Sequence, residues 1–126
     1  MNHPNVRAAF DPWTPTLQNV TTEQLRASVL RMKPYIVHTT AADYVRHPRY
    51  HYDGTLINFA KQEDALRAVP IGEGIVDYGT YFKALKEIGY RGYVGYEMCA
   101  VLEGGGSIEN LDKTAKKFLE YMKGFE

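Results

Sequence analysis

The chain has 126 residues, 44% of them hydrophobic, and its fifteen basic and fifteen acidic side chains cancel. That is enough for one domain with a real core, but the balanced charge excludes the global field that draws a protein to nucleic acid or an anionic membrane. One cysteine, Cys99, excludes an internal disulfide framework. The opening M-N-H-P-N-V-R lacks a signal peptide's apolar core, and no run approaches the ~20 apolar residues of a membrane span, so a cytoplasmic location is expected.

Asn5 to Phe10 alternates weakly and predicts a strand ending on Asp11, with Pro12 and Pro15 predicting a loop rather than an immediate helix. Thr21 and Gln24 fit a capping box, Leu25, Val29, Leu30 and Met32 mark an apolar helix face, and Pro34 stops that helix. Tyr35, Ile36 and Val37 predict a second strand with His38 at its carboxyl end. Thr39 to Val69 shows no clean periodicity and reads as a long loop with a helix-like patch from Phe59 to Leu66. Within it Arg46, His47, Arg49 and His51 alternate with Tyr44, Tyr50 and Tyr52, a composition that suits either a phosphate or carboxylate or a solvated surface.

From Pro70 the sequence runs P-I-G-E-G-I-V-D-Y-G-T-Y-F-K-A-L-K-E-I-G-Y-R-G-Y-V-G-Y-E-M-C. Asp77 is placed to cap a helix whose Tyr78, Tyr81, Phe82, Leu85 and Ile88 share one face, and Gly89 supplies its left-handed end. Tyr93 to Tyr96 then predicts a short strand delivering Glu97 to its carboxyl end. The last helix starts at Ser107, carries Ile108, Leu111, Ala115, Phe118, Leu119 and Met122 at helical spacing, and closes at Gly124. Gly104, Gly105 and Gly106 lead into it, which suits a phosphate held by backbone N–H groups or a plain flexible turn.

Gly72, Gly74, Asp77, Gly89, Tyr90, Gly92 and Glu97 follow the order and spacing of a known unit. On these residues the chain resembles the xylose isomerase-like TIM-barrel superfamily, which holds sugar-phosphate isomerases and epimerases and a class of abasic-site endonucleases. The neutral charge speaks against the nuclease branch. The resemblance implies an α/β fold of the (β/α)8 barrel type. A whole barrel takes about 250 residues, so residues 1–126 are expected to be a single unit holding about the last three βα units.

Asp11, His38 and Glu97 each end an expected strand, and parallel barrel strands present their carboxyl ends on one rim. Two carboxylates and an imidazole suit Mn²⁺, Mg²⁺, Co²⁺ or Zn²⁺. Singly, each has a structural explanation: a turn-forming Asp before proline, a satisfied His, a Glu paired with Arg91. The resemblance implies a four-ligand site, Glu, Asp, His, Glu, in which these three are the second to fourth ligands. The first is expected upstream of Met1, so binding by this chain alone is expected to be weak. The implied chemistry is metal-assisted proton transfer beside a carbonyl through an enediolate, with Glu97 the acid/base for one face of the substrate.

Two departures point to a substrate other than a free ketohexose. Thr14 stands where many relatives have a second histidine, and H-T-T-A-A-D puts Asp43 five residues after His38 instead of three. Trp13, Arg46, His51, Gly105 and Gly106 are the candidate substrate-binding residues, and Cys99 is expected to pack as a small hydrophobe. The expected ligand is a small carbohydrate or sugar acid, with no nucleic acid or membrane partner, and the chain is expected to need the upstream barrel half or self-association. The alternatives are a non-catalytic truncated or assembly half-barrel, and a metal-dependent dehydratase of a polyol or dehydroshikimate-type acid.

Overall fold

A computed structural model describes residues 3, 5–99, 101–102 and 104–125. Three parallel strands form the frame: β1 (Ala8–Ala9), β2 (Ile36–Ala41) and β5 (Val94–Tyr96), in the order β1-β2-β5. Ala8 lies opposite Ile36, and Thr39, Thr40 and Ala41 lie opposite Val94, Gly95 and Tyr96. The connecting helices are α1 (Trp13–Leu17), α2 (Thr22–Met32) and α3 (Tyr78–Glu87), and α4 (Ile108–Lys123) follows β5. This is the βα repeat of a partial barrel.

The helices begin and end where the local chemistry directs. The Thr21 hydroxyl accepts from the Gln24 N–H while the Gln24 side chain accepts from the Thr21 N–H, a complete capping box for α2. Asp77 accepts from the Thr80 N–H at 2.9 Å and caps α3, and Gly89, at φ +74°, lets the chain leave it. Burial opposes ionisation of Asp77, but bonds from Thr80 and Thr22 and the charge of Lys83 outweigh it and hold the carboxyl below its usual range.

The core lies between this sheet and the helices. Leu25 and Val29 of α2 meet Tyr81, Phe82 and Leu85 of α3, with Phe118 of α4 closing the far side. Two tyrosines of α3 carry their hydroxyls into the sheet. Tyr78 donates to the Ala42 carbonyl at 2.6 Å and accepts from the Ala42 N–H at 2.8 Å. Tyr81 donates to the Phe10 carbonyl at 2.6 Å, so its one proton is used and the Thr39 hydroxyl, 2.7 Å away, donates to it. Burial pushes both phenols well above the usual tyrosine range, which keeps these donors protonated.

Five expectations are corrected. A helix does begin at Trp13, because the N–H groups of a first turn have no partners in the helix and Pro12 and Pro15 therefore cost it nothing. The first strand shrinks to Ala8–Ala9. The second runs three residues past His38, to Ala41.

The expected long loop is instead an antiparallel hairpin, β3 (Asp43–Asp53) with β4 (Asn58–Val69), paired from Asp43 opposite Val69 to Asp53 opposite Asn58. The helix-like patch Phe59–Leu66 is part of β4. Pro48, which has no N–H to give, sits at a register shift between His47 and Arg49. Finally, α4 packs through Phe118, with Tyr121 and Met122 beside it, while Ile108, Leu111 and Leu119 of the expected face are exposed.

Asp43, 2% exposed, ties the hairpin base to the loop before α3. Its carboxylate accepts from the N–H groups of Gly72, Gly74 and Val76 at 3.0, 2.9 and 3.2 Å, and from that of Tyr44 at 3.0 Å. A Cβ at Gly74 would collide with this carboxylate and the Tyr44 carbonyl, and Gly72 takes φ +83°, so the loop requires glycine at both positions. Asp43→Ala strips the acceptor from four N–H groups and is expected to cost on the order of 3 kcal/mol, with Asp43→Asn costing less. Chemical denaturation checks this; an alanine variant as stable as the parent contradicts it.

Candidate functional site

The carboxyl ends of the three parallel strands meet at Thr40. Its N–H donates to Asp11 Oδ1 at 2.6 Å, and its hydroxyl donates to Glu97 Oε2 at 3.2 Å. Neighbouring strands lie ~4.8 Å apart, so the Asp11 and Glu97 backbones, on either side of β2, are about 10 Å apart and their carboxylates turn inward onto one residue. Glu97 is held in register by its N–H to the Ala41 carbonyl at 2.9 Å, and Asp11 follows Phe10, whose carbonyl is pinned by Tyr81. Gly95, opposite Thr40, leaves the space between them open; a Cβ there would stand 3.5 Å from Thr40 Cγ2 and 3.7 Å from His38 Nε2.

An aromatic wall stands beside this rim. Trp13 packs on Tyr44 with ring centroids 5.5 Å apart, and Trp13 Nε1 is buried with no hydrogen-bond partner among the described residues. The Tyr44 phenol is raised above its usual range, first by burial, then by a hydrogen bond with Cys99 and the charges of Cys99 and Glu97. Tyr44 therefore links the wall to the strand end.

The residues expected from sequence divide into two groups. Asp11, Glu97 and Trp13 belong to the rim and its wall. His38 lies on the same strand as Thr40 but two residues, about 7 Å, further from the rim, and it is exposed. Arg46 is committed elsewhere: its guanidinium donates to the Leu17 carbonyl at 3.0 Å and to Asn19 Oδ1 at 2.9 Å, fastening the hairpin to the end of α1. His51 is opposite Ala60 on the outer hairpin, eight residues along β3 from Asp43. The Gly105 N–H is given to the Leu102 carbonyl and its own carbonyl accepts from Asn110 at 2.6 Å, while Gly106 stands in open space.

Thr40 is the residue that sequence reasoning missed. Its signal was present: counting three back from Asp43, the H-x-x-D spacing lands on Thr40, and only the expectation that the strand stopped at His38 hid it.

The sequence pattern of the xylose isomerase-like TIM barrel matches residues 1–123. The chain belongs to the xylose isomerase-like TIM-barrel family. A solved structure, a xylose isomerase domain protein from Planctomyces limnophilus, is 20% identical and superimposes with a TM-score of 0.59 over 98% of this chain. That likeness shows the fold. The alignment covers 39% of the solved chain, so this chain spans well under half the length of that xylose isomerase-like barrel. No curated protein matches.

For a metal of the kind this barrel family implies, the side chains present do not form a ligand set. Among the described residues no three His, Cys, Asp or Glu side chains stand close enough together to hold an ion. The place between the two carboxylates belongs to a threonine, whose N–H and hydroxyl take one oxygen from each. Thr40→His puts an imidazole there and is expected to strengthen Mn²⁺ or Zn²⁺ binding by more than about tenfold. Calorimetric titration of both proteins checks this; equal affinities contradict the arrangement.

Proposed function

We propose that this chain supplies one side of the site of a sugar or sugar-phosphate isomerase or epimerase. The observation that carries the reading is the hydrogen-bonded series Asp11–Thr40–Glu97 across the carboxyl ends of three adjacent parallel strands, where barrels of this architecture keep their chemistry. Glu97, exposed at its strand end, is the acid/base for one face of the substrate. Its carboxylate takes the proton from the carbon beside the carbonyl, and the C–H electron pair forms the C=C bond of the enediolate as the C=O pair moves onto oxygen. Glu97 returns the proton to the neighbouring carbon on the same face in an isomerisation, whereas in an epimerisation a group on the opposite face supplies it.

The remaining side chains bind and orient. Asp11 and the Thr40 hydroxyl oxygen offer acceptors to sugar hydroxyls, and Trp13 with Tyr44 gives an aromatic wall against which a sugar ring lies. A group for the opposite face must come from elsewhere in the barrel. Because the ligand set is incomplete, no step is assigned to a metal; a divalent ion needs further ligands from the rest of the barrel, and this chain alone is expected to hold it weakly.

The outer edges of β1 and β5 support a second, compatible reading: among the described residues both are unpaired, so the sheet is built to continue into further strands or a second copy.

The test is a ¹H–¹⁵N titration of the ¹⁵N-labelled chain with neutral ketoses and aldoses. Saturable shifts at Thr40, Glu97 and Trp13 are expected, with affinity reduced about tenfold in Glu97→Gln, the effect of losing one charge-assisted hydrogen bond. No shift at the rim with any of these sugars contradicts the reading.

A further inference from the structure

The second large opening in the molecule lies beyond Cys99. An open cavity of about 550 Å³ is bounded by the base of the hairpin, the segment after β5 and one face of α4. Asn110, Lys113, Thr114 and Lys117 line it, spaced three, four and seven residues from the first, so they form a single stripe of the helix. Arg67 and His47 face it from the hairpin, and Glu73 is its one carboxylate among the described lining residues. A smaller opening of about 230 Å³ between α3 and α4 is apolar apart from Lys86 and offers no comparable chemistry.

The lysines of α4 are treated unequally. Lys116 pairs with Asp112 at 2.6 Å and Lys123 with Glu120 at 2.6 Å, both on the outer surface. Lys113 and Lys117, four apart and both in the cavity, have no ion-pair partner among the described residues, nor has Arg67. Like charges at that spacing repel, and among the described lining residues three unpaired cations stand against one carboxylate. An anion placed there removes the repulsion and gains charge-assisted hydrogen bonds.

We propose that this cavity binds the anionic group, phosphoryl or carboxylate, of a small-molecule ligand, held by Lys113, Lys117 and Arg67. Cys99, which lines the cavity, lies two residues from Glu97 at the rim. Cavity and rim are therefore two residues apart along the chain. Resting on the isomerase reading, the proposal deepens it: the substrate is a charged sugar derivative, its anion in the cavity and its reacting carbon at Glu97.

The experiment is a ¹H–¹⁵N titration with inorganic phosphate and, separately, acetate. Saturable shifts at Arg67, Lys113 and Lys117 are expected. Lys113→Ala and Lys117→Ala should each weaken binding about tenfold, whereas Lys116→Ala, on the outer face of the same helix, leaves it unchanged. Tighter binding of phosphate assigns a phosphoryl group, and tighter binding of acetate a carboxylate. No saturable shift with either anion, or equal weakening by Lys116→Ala, overturns the proposal. The two readings fail separately: a rim silent to neutral sugars beside a cavity that binds phosphate removes the isomerase reading alone, and the reverse removes the cavity alone.

Discussion

The buried hydroxyl of Tyr81 holds the rim together. It gives its proton to the Phe10 carbonyl at the end of β1 and receives one from Thr39 in β2, so one side chain of α3 sets the spacing of two strands. Asp11 follows Phe10 and Thr40 follows Thr39, and the 2.6 Å bond between them depends on that spacing. Tyr78 does the same one turn earlier, satisfying both backbone groups of Ala42. Tyrosines suit this task because their rings fill the helix–sheet layer while their tips meet polar groups of the strands, each of which would be costly to bury unpaired.

From these fixed points the site follows in steps. β2 stays extended through Ala41, its next two residues are gripped by Tyr78 and by the Gly72–Val76 loop, and the hairpin leaves from there. Asp43 is the joint: it closes the loop that caps α3 and starts the strand that carries Tyr44 to the rim. Trp13 packs on Tyr44 beside the rim, and Cys99, two residues past Glu97, lines the basic cavity on α4. The rim carries carboxylates and the cavity carries lysines and an arginine, so the two surfaces differ in chemistry.

The part of the fold most legible in the sequence was Asp77 to Glu97. There the cap, the apolar period, the terminal glycine and the short strand all agree, and the structure follows each. The hairpin was not legible, because both its faces are largely exposed: with Tyr50, Tyr52 and Phe59 as open to solvent as Arg49 and Lys61, no alternation marks a buried side. The true end of β2 was hidden for a related reason. Thr39 is fully buried by virtue of its hydrogen bond to Tyr81, a partner 42 residues away that no local pattern reveals.

For the site, Asp11 and Glu97 were found by their place after short apolar runs. Thr40 was passed over because a threonine carries no chemical signature of its own. It is nonetheless the residue through which the two carboxylates are joined by hydrogen bonds. The most direct test of this account is a crystal structure of the chain soaked with a ketose. The account predicts sugar oxygens within hydrogen-bonding distance of Asp11, the Thr40 hydroxyl and Glu97, with the ring against Trp13; a sugar ordered elsewhere beside a bare rim would contradict it.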